Sequence, residues 1–252
     1  MSSTSQNIID IKKIAKSFLV GNQQIPVLKD INFQVNSGDF LIIFGPSGCG
    51  KSTLLHTILG LETPTSGSID FFGKSLYSQS TEDDRSEFRK KNIGMVYQQP
   101  NWIKALNVVE NVEFPLILTG IDQSSRRQKA IKFLTELEMQ SWAEYHPSEL
   151  SSGQQQKVAL VRALITDPKI IIADEPTGNL DYDSGRELML LLSRLNQQGK
   201  TIIMVTHDLE YIRYSKTAIR MLDGQVLKHY PNSLDLLKEL DYKRISADVK
   251  KQ

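Results

Sequence analysis

Short apolar runs set between turn residues are the first regularity of this chain. Phe40-Leu41-Ile42-Ile43-Phe44 follows the turn Asn36-Ser37-Gly38-Asp39. A run this short with no polar position reads as a strand buried on both faces. Lys169–Ala173 and Thr201–Thr206 read the same way, whereas Val27–Val35 alternates apolar and polar residues at its end, as a half-exposed strand does. Pro64-Thr65-Ser66-Gly67 predicts a turn into a further strand, Ser68–Phe72. Helical stretches accompany the strands: Ser52–Leu59, stopped by Gly60, then Val158–Ile165 and Ser184–Asn196. Strand–helix alternation predicts a parallel α/β sheet with helices on both faces. From about Asn101 to Asp167 the pattern turns helical, with Ala130, Phe133, Leu134 and Leu137 at helical spacing and Asp122 or Ser124 as a cap. This stretch reads as a helical insertion in the α/β core. The charged segment after Tyr230 (Lys238, Glu239, Asp241, Lys243, Arg244, Lys250, Lys251) predicts a peripheral helix that frays.

Composition narrows the class. The chain has 252 residues, 40% hydrophobic and 23% charged, an ordinary soluble balance with room for a real core. Its 30 basic and 29 acidic residues leave a net charge of +1, which argues against a nucleic-acid partner. Cys49 is the only cysteine, so an intrachain disulfide and a cysteine-based metal site are excluded, in keeping with a reducing compartment. The opening residues Met1–Asn7 are polar and lack the layout of a signal peptide. The longest apolar stretches, Phe40–Phe44, Ile170–Ala173 and Leu188–Leu192, fall far short of the ~20 residues that cross a bilayer. Any membrane role is therefore expected to run through a partner chain.

The clearest chemistry follows the first buried strand. Gly45-Pro46-Ser47-Gly48-Cys49-Gly50-Lys51-Ser52 has the spacing of a phosphate loop and opens a helix. Glycines let backbone N–H groups approach phosphate oxygens, and the helix N-terminus adds partial positive charge. Lys51 then bridges the β- and γ-phosphates of ATP, and the Ser52 hydroxyl binds Mg²⁺; Thr53 completes the predicted nucleotide-binding set. Cys49 reads as a small residue in a loop position that tolerates one; the alternative, from its place near that helix start, is a reactive thiol whose modification blocks ATP binding unless ATP is already present.

Two later strands end in polar groups. Ile170–Ala173 leads into Asp174 and Glu175, where Asp174 can hold Mg²⁺ through water and Glu175 can take a proton from an attacking water. Met204-Val205-Thr206 delivers His207 at the carboxyl end of its strand, the edge where ligands bind in open α/β sheets, and this points to a γ-phosphate contact.

At Leu150-Ser151-Ser152-Gly153-Gln154-Gln155-Gln156-Lys157 the sequence resembles the ABC-transporter ATPase family, whose signature is normally Leu-Ser-Gly-Gly-Gln. The other family elements occur in order across nearly the whole chain. Phe18 matches the aromatic that stacks on adenine. Gln98, in Val96-Tyr97-Gln98-Gln99, matches the glutamine that touches Mg²⁺ and the attacking water. Asn179-Leu180-Asp181 matches the loop after the catalytic glutamate, placing Asp181 at the nucleotide, and His207 matches the switch histidine. Pro176-Thr177-Gly178-Asn179-Leu180-Asp181 and Leu106–Val112 look like the macrolide-exporter, lipoprotein-release and cell-division branch.

The resemblance implies a P-loop NTPase with a RecA-like core, a parallel sheet, an antiparallel β subdomain and a helical insertion. The expected organisation is one domain over 1–252, with the catalytic core in 1–98 and 168–230, a helical subdomain in 99–167 and a tail in 231–252. It further implies an ATPase that pairs head to tail with a second nucleotide-binding subunit, each chain's Ser151 and Gly153 facing the other's γ-phosphate. A membrane-spanning permease subunit would hold the pair at the cytoplasmic face of the membrane. The expected activity drives export or extraction; the alternative is a regulatory clamp that gates a membrane partner without transport. Two departures stand out: Ser152 replaces the first glycine of the signature, and Lys157 stands where the family usually has arginine.

Overall fold

The computed structural model describes residues 6–240. In chain order the strands are β1 (Asn7–Val20), β2 (Gln23–Asn36), β3 (Phe40–Phe44), β4 (Ser66–Phe71), β5 (Lys74–Ser75), β6 (Ile93–Tyr97), β7 (Ile170–Asp174), β8 (Thr201–Thr206), β9 (Thr217–Leu222) and β10 (Gln225–Tyr230). The α-helices are α1 (Lys51–Ile58), α2 (Glu82–Asn92), α3 (Val108–Ile117), α4 (Gln123–Glu136), α5 (Ser152–Leu164) and α6 (Tyr182–Gln197). Residues 233–240 are also helical, and the charged positions from Asp241 onward that were expected to fray lie outside the described residues. The described chain forms two compact units, residues 6–78 with 203–240, and residues 79–202.

The first unit holds an antiparallel sheet in the order β2-β1-β4-β5. Ile9, Ile14, Ile31, Val35 and Ile69 of these strands are fully buried. β1 escapes a period-two reading because its pairing with β2 shifts register between Ile11 and Ile14 and again between Ile14 and Lys16. The first shift puts an extra residue in β1, so its buried positions pass from odd numbers, Ile9 and Ile11, to the even Ile14. At the same bulge β4 comes so close that a Cβ on Gly67 (φ +92°) would lie 2.4 Å from the Lys13 carbonyl oxygen, so only glycine fits. This unit also carries β3, parallel to β9 with Leu41 opposite Thr217 and Phe44 opposite Arg220. β10 pairs antiparallel with β9 and closes that side.

In the second unit β6 runs parallel to β7, from Ile93 opposite Ile170 to Tyr97 opposite Asp174. The expected helical stretch resolves into α3, α4 and α5 around a core of Val108, Val112, Leu116, Ala130, Leu134, Val158, Val161 and Ile165. Ala130 and Leu134 of the predicted α4 stripe are buried, and Phe133 packs at its margin. Of the two candidate caps, Asp122 is the one used: it accepts from the Ser125 amide at 3.0 Å and from the Ser124 hydroxyl at 2.6 Å. Those bonds, the Ser124 hydroxyl first, hold its carboxyl well below the ordinary carboxylate range.

α2 left no apolar signal in the sequence because none of its residues is buried. A reciprocal Thr81/Asp84 cap starts it, and Arg85 and Arg89 reach back to Glu82 at 2.8 and 2.6 Å. Asn111, with no exposed surface, pins the approach to α3. It accepts from the Ile103 amide at 2.9 Å and donates to the carbonyls of Ile103, Leu106 and Asn107.

Candidate nucleotide site

The phosphate loop leaves β3 and enters α1 as its spacing predicts, and two of its glycines, Gly45 and Gly50, sit in close packing, whereas Gly48 meets nothing and has a φ of +78°. A Cβ on Gly45 would lie 2.3 Å from the Met221 carbonyl oxygen, and one on Gly50 (φ +101°) would lie 3.0 Å from that of Val27. The buried Lys51 turns its ammonium into the loop, donating to the carbonyls of Gly45 at 2.9 Å and Pro46 at 3.0 Å. Pro46, Ser47, Gly48 and Ser52 are exposed.

Helix α1 differs from the other helices at its start. Helices α2 to α6 each begin on a side-chain cap, from Thr81, Asn107, Asp122, Ser151 and Asp181 respectively. α1 begins on Gly50, with no side chain accepting from its first amides. Together with the Lys51 ammonium, these uncapped amides make a helix start suited to a phosphate chain.

The loop decides between the two readings of Cys49. Its side chain is only 4% exposed, and its sulfur would lie 2.9 Å from a Cβ placed on Gly45. Burial outweighs proximity to the helix start, because a thiol must be reached before it can react. Incubation with N-ethylmaleimide is expected to label Cys49 over hours rather than minutes, and more slowly still with ATP present. Mass spectrometry of the intact protein measures this, and complete labelling within minutes would contradict the burial.

Two further predicted residues lie in the same unit. His207 is exposed at the end of β8 and lines a cavity of about 350 Å³ with Gly45, Pro46 and Arg220. His207 and the phosphate loop thus border one space. Phe18 sits in β1 opposite Ile25, with the Lys16 ammonium 4.8 Å from its ring centre.

The second unit gathers the remaining candidates. Asp174 ends β7, and Glu175 follows in a left-handed conformation at φ +45°. Such backbone is costly for a residue with a side chain and concentrates at functional sites. The turn closes by a 3.0 Å bond from the Gly178 amide to the Glu175 carbonyl. Gln98 leaves β6 beside this turn and donates to Asn179 Oδ1 at 3.3 Å; a Cβ on Gly178 would come within 2.6 Å of Gln98 Nε2. Asp181 caps α6 by accepting from the Ser184 amide at 2.9 Å and the Ser184 hydroxyl at 2.7 Å, and these bonds, the amide first, keep its carboxyl below its ordinary range.

The signature segment starts α5. Ser151 is its cap: the hydroxyl accepts from the Gln154 amide at 3.3 Å, and Gln154 Oε1 accepts from the Ser151 amide at 2.9 Å. A Cβ on Gly153 would lie 2.7 Å from Ser184 Oγ, so α6 accounts for this glycine in packing terms. Ser152 is exposed and borders a depression with Gln98, Gln155, Gln156 and Asn179. Lys157 reaches across to Glu187 of α6 at 2.5 Å, a point contact that needs no guanidinium fork.

The donors proposed for a metal, the Ser52 hydroxyl, the Gln98 carboxamide and the Asp174 carboxylate, are hard oxygen groups of the kind Mg²⁺ takes. Among the described residues no cluster of three or more His, Cys, Asp or Glu could hold a metal unaided. That donor set fits Mg²⁺, which commonly completes its shell with substrate phosphates and water. No described helix is long and apolar enough to cross a membrane.

Comparison with known proteins agrees with this reading. The ABC transporter family profile matches residues 28–178. An uncharacterised ABC transporter ATP-binding protein of Methanocaldococcus jannaschii is 44% identical over 88% of this chain and 98% of its own. The macrolide export ATP-binding/permease protein MacB of Mannheimia succiniciproducens is 42% identical over 88% of this chain, which spans only 34% of that longer protein. Among solved structures, the dimeric post-hydrolysis ATP-binding cassette MJ0796 bound to ADP and Pi superposes with a TM-score of 0.83 at 37% identity, over 89% of this chain and 99% of that one. The fold is therefore the ABC ATPase fold, and this chain belongs to the ABC transporter family, among its ATP-binding proteins.

Proposed function

We propose that this chain is the ATP-hydrolysing subunit of a membrane export or extraction assembly. The observation that carries the reading is Glu175, a carboxylate held at φ +45° directly after the acidic end of a buried strand. Glu175 accepts the proton of the attacking water, and Gln98 and His207 orient that water and the γ-phosphate. Lys51 and the uncapped amides of α1 bind the phosphate chain, while Phe18 stacks on the adenine. Ser52, Asp174 and Gln98 would hold Mg²⁺, which would supply charge neutralisation at the phosphate chain.

Ser151 and Gly153 act in trans. In a head-to-tail pair of protomers, the exposed start of α5 in one chain faces the nucleotide of the other. ATP then holds the pair together, and hydrolysis releases it. The MJ0796 dimer supports this arrangement, and the MacB relatives, which are ATP-binding/permease proteins, support a separate permease subunit as the membrane partner. The chain would then act at the cytoplasmic face of the membrane through that partner.

Affinity purification of the tagged protein from gently solubilised membranes, followed by a Mg-ATPase assay, tests the proposal. Co-purification of a polytopic membrane protein with ATPase activity is the expected result. ATPase activity without any membrane partner would leave the enzyme but remove the transport role.

A further inference from the structure

Helix α5 does more than present Ser151 at its first turn. Three of its side chains hold the segment that follows β6, the segment that contains Gln98. Gln156, only 2% exposed, donates from Nε2 to two successive peptide carbonyls, Tyr97 at 3.0 Å and Gln98 at 2.7 Å. Gln155 Oε1 accepts from the Trp102 indole at 2.9 Å, while its own amide donates to the Leu150 carbonyl at 3.0 Å. Two turns further on, Arg162 donates to the Asn101 carbonyl at 3.0 Å and lies 4.6 Å from the centre of the Trp102 ring. Gln155 and Arg162 are seven residues apart and share a face of α5.

The chemistry of the Gln156 contact is selective. Two carbonyl oxygens face one nitrogen, so the amide has a single workable orientation, and a carboxylate or hydroxyl in its place could not donate twice. Its Oε1 is buried without a hydrogen-bond partner among the described residues. An apolar side chain of similar shape would avoid that cost, so packing alone does not account for a glutamine here. The bond to the Gln98 carbonyl fixes the peptide from which the Gln98 side chain departs, while the far end of that side chain meets Asn179.

We propose that Gln156 is a positioning residue for hydrolysis: it ties the Gln98 peptide to α5, so that Gln98 follows the signature helix when that helix moves. The inference rests on the reading of Gln98 as the group that orients the attacking water. In that arrangement Gln98 becomes correctly placed only when the start of α5 has engaged the partner protomer's nucleotide.

Steady-state ATPase assays on the full chain with Mg-ATP test it, using Gln98→Ala, Gln156→Met and the double variant. Gln156→Met keeps the length of the side chain and removes both donated bonds. The expected result is a fall in kcat of about tenfold with KM for ATP within twofold, because a small misplacement of a catalytic group acts on the chemical step. Added to Gln98→Ala, the same change should lower kcat no further, since both act through one group. If Gln156→Met does not fold, judged by its melting temperature, Gln156→Glu sets a carboxylate against the same carbonyls and should give the same kcat pattern.

An unchanged kcat in a folded Gln156 variant, or losses that multiply in the double variant, overturns the inference while leaving the role of Gln98 standing. An unchanged kcat in Gln98→Ala withdraws that role, and the inference with it.

Discussion

Glu175→Gln is expected to reduce steady-state ATP turnover by about 10²–10⁴-fold, the range that a positioned general base contributes, while ATP binding stays close to that of the unaltered protein. Glutamine has the shape of glutamate and places no new demand on the backbone at φ +45°. What it lacks is a basic oxygen for the proton of the attacking water. With hydrolysis blocked, bound ATP persists, and so should the head-to-tail pair that it holds together. Light scattering coupled to size-exclusion chromatography should therefore show a monomer without nucleotide and a dimer with excess Mg-ATP. A variant that remains monomeric in Mg-ATP would contradict the paired arrangement, and one that turns over ATP at the original rate would remove Glu175 from the reaction.

Lys51→Ala should have the next largest effect, and on binding rather than turnover. The Lys51 ammonium lies within the loop, 2.9 Å from the Gly45 carbonyl and 3.0 Å from that of Pro46, and is 6% exposed. A charge-assisted bond from such a group to a phosphate contributes about 1.5–3 kcal/mol. Losing about 3 kcal/mol corresponds to roughly 150-fold weaker ATP binding, which isothermal titration calorimetry can measure. The same substitution removes two bonds that close the loop on itself, so the melting temperature should also fall, by about 2–8 °C for a loss of about 1–2 kcal/mol. ATP affinity within threefold of the starting value would show that phosphate binds elsewhere.

The chemistry was more legible in the sequence than the architecture was. β3, β7 and β8 announced themselves because strands buried on both faces need unbroken apolar runs, and five such residues at 40–44 are all buried. The phosphate loop was readable because the spacing of its glycines, Lys51 and Ser52 is itself the motif, whereas the 2.3 Å approach of Met221 to a Cβ on Gly45 is a contact only the fold makes. By contrast, β1 was hidden by its register shifts, and α2 by having no buried residue at all. For Cys49 the sequence left a small loop residue and a reactive thiol both open, because nearness to a helix start is legible there and the burial that decides access is not.

The sequence by itself determined the strand-and-helix alternation, the phosphate loop, the order of the acidic strand end and His207, and the family. The first three follow from spacing along the chain, which local geometry reads directly, and the family follows from the resemblance that the motifs carry. Only the tertiary structure decided that His207 shares a cavity with Gly45 and Pro46, that Ser184 of α6 requires a glycine at 153, and that Gln156 holds the Gln98 carbonyl across 58 positions of sequence. Such contacts depend on how helices and strands pack in three dimensions, and neither hydrophobic periodicity nor motif spacing encodes which distant backbone a buried amide will meet.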